Sequence, residues 1–222
     1  MKLTIFAATG GVGRHLLQQT RDAGHDVTAV VRNPATLPAG VRTVIADLAA
    51  ADPAALQAAV AGTDGVLSCL GPRPSQRNDG ITSRGTRAII EAMHVTGARR
   101  IVVISASPIG TVPSPSRPNP PKRDPGDGFF MRYLGNRIAK RRFPEVYADL
   151  ALMEDELRDS GLDWTVIRPP ALTNKPLTGT YRTALGRNAG GTFISRADVA
   201  HCMLHVLERP ETIQQTIGIA NR

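Results

Sequence analysis

The sequence predicts one α/β domain built on a doubly wound parallel sheet, and three observations carry that reading. Short apolar runs alternate with amphipathic stretches at helical spacing through the first hundred residues, the pattern of βα units feeding a parallel sheet. A turn rich in glycine joins the first run to the first amphipathic stretch. The chain has 222 residues, 41% of them hydrophobic, which is enough for one sizeable core and carries no sign of disorder or a fibrous repeat. Together these describe a Rossmann-type domain.

Taken in order, the strands read from the pattern are residues 2–7, 26–31, 42–46, 65–69 and 100–105. Helices are expected to start near Val12, Asp52 and Asp79, with Asp52 as an N-cap and Pro53 in the first turn. Residues 108–125 hold seven prolines, too many for a regular helix or a central strand, and are expected to form an irregular loop. A basic amphipathic stretch, 129–143, precedes a helix over 144–160 that Gly161 ends. Residues 163–168 read as a sixth strand, stopped by Pro169-Pro170. Ser195-Arg196-Ala197-Asp198 resembles a capping box, with Asp in place of the usual Glu or Gln, opening a helix to about Glu208. No repeat and no second core is visible, so residues 1–222 are read as one domain. Residues 108–125 are then a loop and 129–190 the substrate-side region.

Composition narrows the function classes. No apolar run approaches the roughly 20 residues that span a bilayer, and the amino terminus leads straight into a strand pattern, so a cytoplasmic protein with no membrane partner is expected. Cys69 and Cys202 are the only cysteines and have no ligand spacing, so they are read as buried thiols, with neither a disulfide framework nor a metal site. The formal charge of +8 is spread along the chain and comes with no recognition motif, so a nucleic-acid partner is not expected. A basic face on Arg132, Arg137, Lys140, Arg141 and Arg142 reads first as a solvated helix face.

The chemistry concentrates in Ala7-Ala8-Thr9-Gly10-Gly11-Val12-Gly13, between the first strand and the first helix. A helix amino terminus offers unpaired N–H groups and the positive end of a dipole, and a pyrophosphate sits there only if no side chain blocks its approach. Gly10 permits that approach, and Gly13 lets the helix pack close to the strand. A turn that merely connects strand to helix would have the same composition. The position at the start of a βαβ unit favours dinucleotide binding. Ala7 stands where the common pattern has its first glycine, which is tolerable if its φ stays negative.

Cofactor choice is read at the end of the second strand, where an NAD site places an acid to accept the ribose 2′-hydroxyl. This chain has Arg32, which can hold a 2′-phosphate by forked, charge-assisted contacts, so NADP(H) is expected. Arg14 could supplement that charge. Asp47, with Leu48, follows the third strand and is placed to meet the adenine, although capping its own turn is a compatible role. Leu70, Gly71 and Arg73 follow the fourth strand, where Gly71 lets the backbone approach the ribose. The candidate cofactor residues are thus Thr9, Gly10, Gly11, Val12, Gly13, Arg32, Asp47, Leu48, Leu70, Gly71, Arg73, Ser105 and Pro169.

With these residues the chain resembles the atypical short-chain dehydrogenases/reductases. The segments Leu157-Arg158-Asp159-Ser160-Gly161-Leu162, Arg168-Pro169-Pro170, Pro176-Leu177-Thr178-Gly179-Thr180-Tyr181, Ile194-Ser195 and Asp198 are similar to the biliverdin reductase B and NADPH-dependent flavin reductase group within the NmrA-like superfamily. That resemblance implies an NADPH reductase acting on flavins, tetrapyrroles or similar planar acceptors, with a pocket serine at or beside Ser105-Ala106-Ser107. Two pocket histidines of that group would fall near Leu150 and Ala171, and neither is histidine here. The Tyr-x-x-x-Lys pair of the classical short-chain dehydrogenases is also missing: Tyr147 is followed by Ala151, and Tyr133 by Arg137.

Hydride transfer to a flavin or quinone needs little beyond stacking the acceptor on the nicotinamide and excluding water. Carbonyl reduction needs a proton donor, for which Ser105, Ser107 and Tyr147 are the candidates. The leading expectation is an NADPH-dependent reductase of a small planar acceptor. The alternatives are an NADP(H)-binding redox-sensing regulator without turnover and an isoflavone-type or nucleotide-sugar reductase. The acceptor is expected in a pocket between residues 105–107, residues 169–172 and the proline-rich loop, which would be its wall or lid.

Overall fold

Alternate residues of the first strand feed two separate cores: Leu3 and Ile5 pack on one face of the sheet and Phe6 on the other, all essentially without solvent exposure. A strand buried on both faces is what a parallel sheet with helices on either side requires. The computed structural model describes residues 1–34, 37–50, 52–71, 80–128 and 136–222, with the side chains of residues 136, 137 and 139 excepted. The strands are β1 (Lys2–Phe6), β2 (Asp26–Val31), β3 (Arg42–Ile45), β4 (Gly65–Ser68), β5 (Arg100–Ile104), β6 (Asp163–Arg168), β7 (Ala171–Thr173), β8 (Tyr181–Leu185), β9 (Phe193–Ser195) and β10 (Gln215–Asn221). The helices are α1 (Gly11–Asp22), α2 (Pro53–Val60), α3 (Ile81–Thr96), α4 (Asn136–Arg142), α5 (Pro144–Asp159) and α6 (Arg196–His205).

The main sheet runs β3-β2-β1-β4-β5-β6-β10-β8, with β8 antiparallel and the rest parallel; β7 and β9 form a separate parallel pair. Strand order reverses between β1 and β4, and in this architecture ligands bind outside the carboxyl ends of the strands at that point. Helices α1 and α6 cover one face through Leu16, Leu17, Val199 and Met203. Helices α2, α3 and α5 cover the other through Leu56, Ile89, Met93, Met153 and Leu157.

The six strands read from sequence are present, β2 and β6 with unchanged bounds and the other four one residue shorter at the carboxyl end. The N-caps at Asp52 and Ser195 form, each side chain accepting a backbone N–H. Helix α3 begins at Ile81 after Gly80; Asp79 lies outside the described residues. Of the basic stretch 129–143, α4 is the described helix, and Arg132 and the Arg137 side chain are not described.

Two expectations need correction. Residues 108–125 are not wholly irregular: they begin within a buried 3₁₀ turn, Ser107–Thr111, and Ser114 and Arg117 form a β-bridge. The segment is also tied to its surroundings. Asp155 of α5 accepts from Ser114 Oγ and the Ser116 N–H, and Asp124 accepts from the Gly126 and Asn188 N–H groups. The second concerns the cysteines: Cys202 is buried, but Cys69, just past β4, is only half-buried.

Candidate functional site

The turn after β1 departs from expectation at Ala7, whose φ is +56° rather than negative. The left-handed conformation costs an alanine on the order of 1–2 kcal/mol, and the surrounding hydrogen bonds hold it there. The Ala7 N–H donates to the Val30 carbonyl at 3.1 Å, and the Ala7 carbonyl accepts the Gly10 N–H at 2.9 Å. That carbonyl also explains Gly13, where an added Cβ would lie 2.2 Å from it and 2.9 Å from Ala8 Cα. At Gly10 the same atom would be 3.1 Å from a Cβ, tight but less forbidding.

Helix α1 starts bare. Gly10 is its extended N-cap and supplies no side chain, and the first turn holds no acid. The first N–H groups of a helix have no intrahelical acceptor, so at this end they point out of the sheet edge beside the positive end of the dipole. Glycines where side chains would block approach, open donors and no competing carboxylate together fit the pyrophosphate of a dinucleotide.

The other candidate cofactor residues share this edge. Phe6 pairs with Val30 and Ser68, and the ladder continues through Cys69 N–H to the Phe6 carbonyl and Ala46 N–H to the Val31 carbonyl. Arg32, Asp47 and Leu70 therefore follow directly at the carboxyl ends of β2, β3 and β4. Arg32 and Asp47 are exposed, Leu48 is half-buried and Leu70 buried. One Asp47 carboxylate oxygen accepts the Ala49 N–H at 3.0 Å, so the turn-capping role is real and leaves the other oxygen outward. At Gly71 an added Cβ would meet nothing within 4 Å, so the space is open there without requiring glycine. Arg73 lies outside the described residues.

Of the residues weighed as proton donors, Ser105 is already engaged: its Oγ donates to Glu154 Oε1 at 2.8 Å. Glu154 and Arg168 are both almost fully buried and form a forked pair, with Arg168 Nε 2.9 Å from Oε1, and Arg158 adds a second cation. Burial alone would raise the Glu154 pKa, but the two arginines and Ser105 outweigh it and hold the carboxyl below its ordinary value. Ser107 opens the 3₁₀ turn, its N–H donating to the Pro169 carbonyl at 2.9 Å. Tyr147, on α5, packs against the core, and burial raises its pKa, so its phenol stays protonated through neutral pH. At the ends of β5 and β6 lies a small cavity of about 10 Å³, room for one water, lined by Ser107, Asp127, Arg168, Pro170 and Asn188 among others.

Two features of the edge escaped the sequence. Asp198 does not reach back to its N-cap residue's N–H; one of its oxygens accepts the Thr178 and Gly179 N–H groups, both at 2.9 Å, while Ser195 Oγ donates to the other at 2.7 Å. It thereby ties the Pro176-Leu177-Thr178-Gly179 turn to the start of α6. Arg196, the first residue of α6, lies across the glycine turn, its Nε 2.7 Å from where a Cβ on Gly11 would stand. Its Nη1 donates to Asn174 Oδ1 at 2.7 Å. The one sequence signal was a cation at a helix start, where an acid is the usual choice.

Known proteins share this fold. An uncharacterized sugar epimerase of Bacillus subtilis, YhfK, is 30% identical over 96% of this chain and 90% of its own length. Among solved structures, ChuY, an anaerobilin reductase from Escherichia coli O157:H7, superposes with a TM-score of 0.76 at 24% identity, covering 100% of this chain and 97% of its own. A short-chain dehydrogenase/reductase from Veillonella parvula in complex with NADP superposes at 0.78 with 16% identity, covering 99% and 94%. Both structural likenesses are likenesses of fold. The NAD(P)H-binding family model matches residues 7–210, beginning at the strained alanine itself and running past α6, and the chain belongs to that family.

Proposed function

We propose that this chain is an NADPH-dependent reductase that passes hydride to a planar conjugated acceptor such as a flavin or quinone, and that it works in the cytoplasm. The observation that carries the reading is the state of two of the three candidate proton donors, Ser105 and Tyr147. Ser105 spends its hydroxyl on buried Glu154, and Tyr147 has Ala151 where a lysine would lower its pKa. Carbonyl reduction and epimerisation both need a protein group that moves a proton at the reacting carbon or its oxygen. A flavin or quinone takes its proton from water after the hydride arrives, so such an acceptor does not require one. NADPH supplies the hydride when bound; the chain's part is to hold and orient.

In this reading Gly10, Gly11, Val12, Gly13 and Thr9 receive the pyrophosphate, Arg32 the 2′-phosphate, and Asp47, Leu48, Leu70 and Gly71 the adenosine half. Ser105 and Pro169 border the nicotinamide end, and residues 108–125 form a fixed wall beside the substrate-side region 129–190. The acceptor docks over the nicotinamide, at the carboxyl ends of β5 and β6. Exposed Ala171, without the histidine of the resembling group, favours weakly charged acceptors over a tetrapyrrole dicarboxylate, while Leu150 is buried in the core. The test is NADPH oxidation, followed by absorbance, with a panel of flavins, quinones and biliverdin. Turnover with a flavin or quinone at higher kcat/KM than biliverdin is expected. Tight NADPH binding with no acceptor-dependent oxidation would instead support the redox-sensing reading.

A further inference from the structure

We infer that Arg196 is a cofactor-binding residue: its guanidinium, held by Asn174 across the glycine turn, meets the dinucleotide pyrophosphate from the start of α6, beside the start of α1. The inference rests on the placement of the pyrophosphate at that turn.

The argument is electrostatic. The Arg196 side chain lies against Gly11, the first residue of α1, and Arg196 is itself the first residue of α6. A helix begins with the positive end of its dipole, so this cation stands at two positive ends at once, an unfavourable arrangement that an anion between them would reverse. Neither side chain at the α1 start offers that anion, because Gly10 is the cap and the first turn has no acid. Asp198, the acid in the first turn of α6, is consumed by Ser195, Thr178 and Gly179. Among the described residues, Nη1 is the Arg196 nitrogen with a partner, Asn174 Oδ1. Nε and Nη2 remain as a two-pronged donor over the turn, the fork that matches phosphate oxygens. Gly11 is explained at the same time, since any Cβ there would collide with Nε and displace the fork.

Titration calorimetry with NADP⁺ and with adenosine 2′-monophosphate separates this role from others, because the second ligand has no pyrophosphate. Arg196→Gln is expected to weaken NADP⁺ binding about tenfold, the scale of one charge-assisted contact, while leaving adenosine 2′-monophosphate within about twofold. Arg196→Lys should recover part of the loss, and Asn174→Ala, which unlocks the guanidinium without removing it, should show a smaller loss of the same selectivity. Unchanged NADP⁺ affinity in Arg196→Gln, or equal losses for both ligands, overturns the clamp while leaving the dinucleotide site standing. Failure of the unaltered protein to bind NADP⁺ or NAD⁺ at all overturns the site and the clamp together.

Discussion

At the scale of single residues, the turn after β1 accepts strain at one position to keep another free of it. Ala7 holds φ at +56° so that its carbonyl can receive Gly10 and lie against Gly13. Glycine at position 7 would adopt that conformation without the Cβ penalty, although it would also gain freedom in the unfolded chain. Ala7→Gly is therefore expected to stabilise the fold by about 1 kcal/mol in denaturant titrations, with cofactor affinity unchanged. A destabilised variant would mean that the methyl group packs usefully. Arg32 sets a different quantity. Exposed at the carboxyl end of β2, its side chain makes no hydrogen bond or ion pair among the described residues. Arg32→Ala should leave stability unaltered and remove a preference for NADPH over NADH of about tenfold. Equal affinities for the two cofactors in the unaltered protein would refute the assignment.

Among the elements, α6 does more than cover the sheet, because Asp198 near its start organises the Thr178-Gly179 turn. Burial alone would push its carboxyl up, but Ser195 and the Thr178 and Gly179 donors outweigh that and hold it below the ordinary range. A depressed folded-state pKa contributes stability that is present above the unfolded value and lost as pH falls through the folded one. The stability gap between the unaltered protein and Asp198→Asn should thus be full at neutral pH and shrink as the solution is acidified below the carboxylate range. A gap constant across that range would show that the charge is immaterial. This tie was illegible in the sequence: Ser195-x-x-Asp198 reads as a local capping box, whereas its acid serves a turn 20 residues earlier in the chain. The first six strands were legible because each is an apolar run between turn signals. The later ones carry weaker signals. β7 and β9 have three residues each, β8 is a largely exposed edge, and β10 is interrupted by Gly218. That glycine is needed because a Cβ there would lie 2.3 Å from the Arg187 carbonyl. On the cofactor side the glycine turn and strand ends were readable from register, but Arg196 was not, because it reaches the site through space from α6.

For the whole molecule, the sheet order places the described candidate cofactor residues at one edge, and β10 completes the sheet beyond β6. β10 pairs with β6 on one side and β8 on the other and buries Ile217, Ile219 and Ala220. The Gln214 N–H, one residue before it, donates to the carbonyl of Trp164, the only tryptophan. A chain ending before Gln215 is expected to lose native packing along β6, seen as a red shift in Trp164 emission and faster proteolysis, while β1 to β5 keep their order. Unshifted emission would show that β10 is dispensable. The same arrangement bears on how the protein is made. β8 is synthesised before β10, its sheet partner among the described residues, and at the usual 5 to 20 residues per second roughly 2 to 6 seconds pass between the addition of Leu185 and of Gln215. Until β10 enters the sheet, Tyr181–Leu185 lacks the strand it pairs with and β6 keeps an open flank, so any factor that shields nascent chains has most to protect there.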